Sequence, residues 1–132
     1  MAGTRFSRQR AAIVDALHAR CDHPTAEMLY RTLRQTHPNI SLGTVYRNLT
    51  LLEEQGEALR IYSKDGPDRF DGITAPHNHL QCRGCGAMVD LPTDVSLDLA
   101  KVRADAARSG MAVDHHQVVF FGLCAACRDR AQ

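Results

Sequence analysis

Ser41-Leu42-Gly43-Thr44-Val45-Tyr46-Arg47-Asn48-Leu49-Thr50-Leu51-Leu52-Glu53-Glu54-Gln55-Gly56 decides the fold. Ser41 is a helix N-cap residue, because its hydroxyl accepts from backbone N–H groups that a first turn leaves unpaired. Gly56 closes the same helix, since glycine takes the left-handed conformation that helix ends favour. Between them Val45, Leu49 and Leu52 recur at helical spacing and form one buried stripe. The opposite face displays Gly43, Thr44, Tyr46, Arg47 and Thr50. Small, polar, aromatic and Arg side chains suit a helix lying in a DNA major groove. A merely solvated helix face would carry a similar set, so the surroundings must decide.

Upstream, Ser7 is placed as the N-cap of a helix carrying Ile13, Val14 and Leu17, and Asp22-His23-Pro24 breaks the pattern. Thr25 caps a second helix with Ala26, Leu29, Tyr30 and Leu33, and His37-Pro38-Asn39 is the next break. Downstream, Ala58 to Tyr62 is strand-like, Lys64-Asp65-Gly66-Pro67 is a turn, and Arg69-Phe70-Asp71 returns as a second strand. Three helices followed by a hairpin describe a winged helix-turn-helix. Gly72 to Pro76 is a linker. Beyond it, His79 to Leu91 alternates as short strands, and Val95 to Arg108 has a helical stripe of Val95, Leu99, Val102 and Ala106. Val113 to Leu123 is expected to return as a strand, with Val119 and Phe121 on one face and Val118 and Phe120 on the other. The fold class is therefore α+β, an N-terminal winged helix-turn-helix followed by a small α/β domain. The expected boundaries are 1–71 for the first domain, 72–78 for a hinge and 79–132 for the second.

That second half carries the most specific chemistry in the chain. Cys82-Arg83-Gly84-Cys85 is followed, thirty-nine residues after Cys85, by Cys124-Ala125-Ala126-Cys127. Two Cys-x-x-Cys knuckles supply four thiolates, the number a tetrahedral zinc site needs, and the long gap ties distant segments together. Four unrelated core cysteines rarely fall into two such pairs. A redox Cys-x-x-Cys accounts for either pair alone but not for both.

With 132 residues, 44% of them apolar and seven of them aromatic, the core is thin, and a structural zinc would stabilise it. No apolar run reaches membrane-spanning length, and the N-terminus lacks a signal peptide's apolar stretch. The expected location is the cytoplasm, with no membrane partner, where reduced cysteines favour metal over disulfide. Cys21 is expected to be an ordinary free thiol. The net charge of +1 hides an asymmetry: residues 1–64 hold nine Lys/Arg against six Asp/Glu, residues 65–132 seven against nine. The basic surface thus lies with the proposed DNA-binding half.

A second donor set contains no sulfur. His77-x-His79, in or beside a strand, places both imidazoles on one side because strand side chains alternate. Asp71 precedes them, Asp90 follows, and His23 lies before a proline between the first two helices. Three imidazoles and two carboxylates suit Fe(II) or Mn(II), although zinc and copper bind such sets too. Each has an ordinary reading as well: His23 as a capping residue, Asp71 as a turn former, Asp90 as a surface charge. Spacing alone does not bring His23 to the other four.

Together, Thr4-Arg5-Phe6-Ser7-Arg8-Gln9-Arg10, His23-Pro24-Thr25-Ala26-Glu27, Ser41 to Leu49, His77-x-His79-x-x-Cys82-x-x-Cys85-Gly86 and His116 with Gly122-Leu123-Cys124-x-x-Cys127 resemble the ferric uptake regulator (Fur) family of dimeric, metal-responsive DNA-binding repressors. The resemblance runs from residue 4 to 127. It implies a homodimer whose second domain is the dimerisation domain, and structural Zn2+ on Cys82, Cys85, Cys124 and Cys127. It also implies a regulatory Fe2+ or Mn2+ on His23, Asp71, His77, His79 and Asp90. Double-stranded DNA with a palindromic operator is the implied partner, contacted by Tyr46, Arg47, Thr44, Ser41 and Arg5. Within the family, Asp90 and the Pro76-His77-Asn78-His79 sequence look most like the peroxide-sensing branch (PerR), where iron-sensing members usually have Glu and often His-His-Asp-His. Leu97 stands in the region where iron sensors carry a Glu, so their additional metal site keeps at best His116. A manganese- or iron-responsive uptake regulator without peroxide sensing is the alternative. Zinc hydrolysis or deamination fits poorly: such enzymes keep a zinc position open, and the His-x-Glu and Pro-Cys-x-x-Cys elements of nucleobase deaminases are missing. A zinc-storage module would leave the Ser41–Gly56 helix without a role.

Overall fold

The computed structural model describes residues 5–63, 66–75 and 77–130. Lys64 and Asp65 of the expected turn, Pro76 of the expected hinge and the Arg5 and Ser7 side chains lie outside the described residues. The chain divides into two compact units, Met1–Ala75 and Pro76–Gln132.

The first unit contains α1 (Arg5–His18), α2 (Ala26–Leu33), α3 (Leu42–Glu54), β1 (Leu59–Ile61) and β2 (Arg69–Asp71). Thr25 and Ser41 cap α2 and α3, their hydroxyls accepting from the Met28 and Thr44 N–H groups at 3.1 Å each. α1 has already begun at Arg5, so Ser7 sits in its first turn and not at the position before it. After α3, Gly56 adopts φ 74°, its N–H bonds to Glu53 O, and Glu57 N–H bonds to Leu52 O. This double closure is a Schellman motif, and it turns the chain directly into β1. β1 and β2 pair antiparallel, with Arg60 opposite Phe70. The core is made where Ile13 and Leu17 of α1, Leu29 of α2, Val45, Leu49 and Leu52 of α3 and Phe70 of β2 meet, all at 1% exposure or less. Burying one stripe of α3 leaves its other face outward.

The second unit contains β3 (Asn78–Cys82), β4 (Met88–Leu91), α4 (Leu99–Arg108), β5 (Val119–Gly122) and α5 (Ala125–Arg130). Its sheet has the order β4-β3-β5, with β3 antiparallel to β4 and parallel to β5. α4 begins four residues later than expected because Asp98 caps it, its carboxylate accepting from Lys101 N–H at 3.0 Å. Val95 therefore precedes the helix instead of joining its stripe. Every residue of α4 stays at least partly exposed. The strand expected over Val113 to Leu123 is confined to four residues, and Phe120 and Phe121 are both exposed. α5 was not anticipated. No helix among the described residues is long and apolar enough to cross a membrane.

Candidate functional site

Two turns of chain and one short helix bring the four cysteines together. Cys82 ends β3 and Cys85 lies in the turn that leads to β4, while Cys124 directly precedes α5 and Cys127 stands within it. Their sulfurs all lie within 4.8 Å of one another, and Cys85 Sγ is 3.9 Å from Cys124 Sγ. A zinc tetrahedron with Zn–S bonds of about 2.3 Å has S···S edges of about 3.8 Å, so the set fits that ion. Gly84 and Cys124 donate backbone N–H groups to Cys82 Sγ at 3.4 and 3.3 Å. Such donors stabilise a thiolate: led by the Cys124 N–H, they hold the Cys82 thiol down at about 5. Arg130 Nη2 lies 2.9 Å from Cys127 Sγ and draws that thiol down, yet the neighbouring Cys124 thiol, burial and the other two sulfurs push it up to about 11. Four sulfurs this close cannot all ionise without a cation among them. Gly84 is required by contact, since a Cβ there would stand 2.9 Å from Cys127 Sγ.

The sulfur-free donors form two groups, one in each unit. In the first unit His23 Nε2 lies 3.2 Å from Asp71 Oδ2, with both side chains buried. β2 makes this contact: Phe70 N–H bonds to Pro24 O at 2.9 Å, Arg69 Nη1 donates to His23 O at 3.0 Å, and Thr25 bridges Arg69. His23 thereby occupies the left-handed region at φ 55°. In the second unit the sheet register sets Asp90 opposite His79. Asp90 Oδ1 lies 3.4 Å from His79 Nε2 and 3.2 Å from His77 Nε2. The two imidazoles, two residues apart, share a side with ring centroids 4.5 Å apart, as strand alternation requires. Each group offers imidazole nitrogen and carboxylate oxygen, hard-to-borderline donors that suit a divalent first-row metal.

On α3, Tyr46 and Arg47 are exposed and line an open groove with Thr50, Leu51 and Glu54. Ser41 and Thr44 also face outward, but their hydroxyls are engaged in the helix start, 2.9 Å apart, and Arg47 Nη2 donates to Thr44 Oγ1 at 3.2 Å. Cys21 is exposed, and His116 lies in the exposed segment before β5. Arg130, the donor to Cys127, escaped sequence reading. Its place one helical turn after Cys127 was the available signal.

Residues 1–121 match the model of the ferric uptake regulator family. The chain is 34% identical over 125 residues to the peroxide operon regulator of Bacillus subtilis (strain 168), covering 95% of this chain and 85% of that protein. Its fold is similar to the Campylobacter jejuni peroxide stress regulator, with a TM-score of 0.69 and 30% identity over 93% of this chain and 91% of the other. It is also similar to a zinc-bound manganese uptake regulator, with a TM-score of 0.63 and 29% identity over 92% of each chain. The chain belongs to the ferric uptake regulator family, whose members are metal-dependent transcriptional regulators and not enzymes.

Proposed function

We propose that this family member is a metal-dependent DNA-binding repressor that responds to peroxide. The observation that carries the reading is the separation of two donor chemistries: a closed all-thiolate set, and an all-nitrogen-and-oxygen set divided between His23 with Asp71 and His77, His79 with Asp90. Cys82, Cys85, Cys124 and Cys127 would hold a structural Zn2+, since four thiolates leave no coordination position for substrate. His23, Asp71, His77, His79 and Asp90 would hold the regulatory Fe2+ or Mn2+.

On this reading the first unit is the winged-helix DNA-binding domain and the second the zinc-binding dimerisation domain. Residues 72–78, at the chain's passage from one to the other, serve as the hinge. The exposed apolar residues of the second unit, among them Val89, Val102, Phe120 and Phe121, supply what a homodimer buries. Tyr46 and Arg47 lie on the face that enters the major groove of a palindromic operator, with Thr44, Ser41 and Arg5 as supporting contacts. When all five regulatory donors share one ion, the placement of the two winged helices in the dimer is restricted, and one spacing fits two half-sites. Fe(II) held by these residues would supply peroxide reduction beside its ligands, a reaction that Mn(II) would support far less readily. His23 or His77 would then take one oxygen atom from peroxide, the other leaving as water; the oxidised ring would be a poorer ligand, and loss of the metal would release DNA. Reduced thiols at the zinc set agree with action in the cytoplasm.

The similarity to a manganese uptake regulator favours a second reading, metal-responsive repression without peroxide sensing. Both share a first test. A duplex selected by the protein from a random-sequence pool should bind tightly with added Mn(II) and weakly after chelation of the regulatory metal. Equal affinity in both conditions would remove metal dependence and both readings with it.

A further inference from the structure

The hairpin and the recognition helix are joined by one side chain with an unusual number of partners. Arg60 stands on β1 with its side chain 16% exposed. Its Nε donates to Glu53 Oε1 at 3.0 Å and its Nη2 to Thr50 Oγ1 at 2.9 Å, both in the last turns of α3. Its Nη1 reaches Asp68 Oδ2 at 3.4 Å, just before β2. The guanidinium carbon sits 4.9 Å from the centroid of the buried Phe70 ring. The acceptors are held in turn: Tyr62 Oη donates to Glu53 Oε2 at 3.3 Å, and Ser63 N–H donates to Asp68 Oδ1 at 3.1 Å. All three guanidinium nitrogens are therefore engaged, and only a planar fork of five donors meets this set while stacking on a ring.

We propose that Arg60 is a positioning residue for DNA recognition, fixing the wing to the recognition helix and neutralising two carboxylates beside the DNA-facing groove. The inference rests on the DNA-binding reading. Glu53 and Asp68 each carry a charge that repels backbone phosphates, and Arg60 is the cation between them. Thr50, whose hydroxyl Arg60 holds, lines the groove with Tyr46 and Arg47. The same guanidinium thus sets the wing's position, the local charge and one groove residue. With its nitrogens committed inside the protein, Arg60 acts through these groups and not as a phosphate contact.

The test uses the full chain loaded with zinc and Mn(II), in wild-type form and as Arg60→Met, Arg60→Lys, Glu53→Gln and the Arg60→Met/Glu53→Gln double variant. Binding is measured by fluorescence anisotropy on the selected duplex and on a scrambled duplex over a range of salt concentrations. Arg60→Met should weaken binding to the selected duplex at least tenfold and reduce its preference over the scrambled one. Arg60→Lys should fall between Met and wild type. The loss caused by Arg60→Met should shrink at least threefold in the Glu53→Gln background, because part of it is repulsion by that carboxylate. An equal loss on both duplexes with a slope shallower by about one would make Arg60 a phosphate contact and overturn the proposal. The same loss in both Glu53 backgrounds would overturn it too, as would unchanged selectivity in Arg60→Lys should Arg60→Met fail to fold. If wild type binds no DNA, the underlying DNA-binding reading fails; if wild type binds and the Arg60 variants match it, this inference alone fails.

Discussion

His23 concentrates several constraints in one residue. Its left-handed backbone at φ 55° costs about 1–2 kcal/mol for a side-chain-bearing residue, and the following proline further narrows its choices. Bonds from β2 to His23 O and Pro24 O hold that conformation and deliver the imidazole to Asp71. Strain held in place by surrounding bonds is a mark of functional positions. Asparagine tolerates the left-handed region better than most residues but offers a poor metal ligand in place of imidazole. His23→Asn should therefore melt within about 1 kcal/mol of wild type while its DNA binding ceases to respond to Mn(II). A full Mn(II) response in that variant, measured by anisotropy, would remove His23 from the regulatory set. The sequence named His23 and Asp71 as donors but could not pair them, because the contact depends on long-range bonds from β2. The pairing of His79 with Asp90 was hidden for the same reason, since strand register is not written in spacing. By contrast, His77 and His79 were legible as neighbours because alternation along a strand is local.

The elements divide between those set by local chemistry and those set by packing. Thr25, Ser41 and Gly56 each act on backbone groups a few residues away, so α2 and α3 begin, and α3 ends, where those residues dictate. Val95 fits a helical stripe, yet the Asp98 carboxylate starts α4 beyond it, and periodicity carries no information about which of two starts is capped. α5 was masked by the knuckle at its start: Cys124-x-x-Cys127 reads as a metal motif, although its spacing also fits one helical turn. Within α3 the buried stripe should carry the stability. Leu49 is fully buried in the first unit's core, so Leu49→Ala should lower unfolding free energy by about 2–5 kcal/mol. Urea denaturation followed by circular dichroism measures it, and a loss below about 0.5 kcal/mol would mean the core is not packed around α3 as described. The knuckles fasten the loop after β3 to the start of α5. Cys127→Ser should lose zinc and show a shortened sheet by hydrogen exchange, because one missing thiolate opens the tetrahedron. Retention of one zinc per chain with unchanged exchange would contradict the thiolate assignment.

The whole molecule has two units with unlike means of support. The first has a continuous apolar core from three helices and a hairpin; the second buries Met88 with Cys82 and Cys127 and leaves Phe120, Phe121 and Val102 exposed. Zinc and a second copy of the chain are the expected supports of that half. Stripping zinc with a chelator under reducing conditions should convert dimer to monomer in sedimentation equilibrium, while the first unit keeps its helices. A zinc-free dimer of unchanged affinity would assign dimerisation to other surfaces. The central claim is that a metal held by the sulfur-free donors controls DNA binding and is the point of peroxide attack. It is tested most directly by one parallel measurement: protein carrying Fe(II) and protein carrying Mn(II), each bound to the selected duplex, receive a brief peroxide pulse, and DNA release and peptide masses are read together. The account predicts release from DNA in the iron form only, with a gain of one oxygen atom on the peptide holding His23 or His77 and the four zinc cysteines unmodified. Equal release with manganese, or release that follows oxidation of Cys82, Cys85, Cys124 and Cys127, would contradict it.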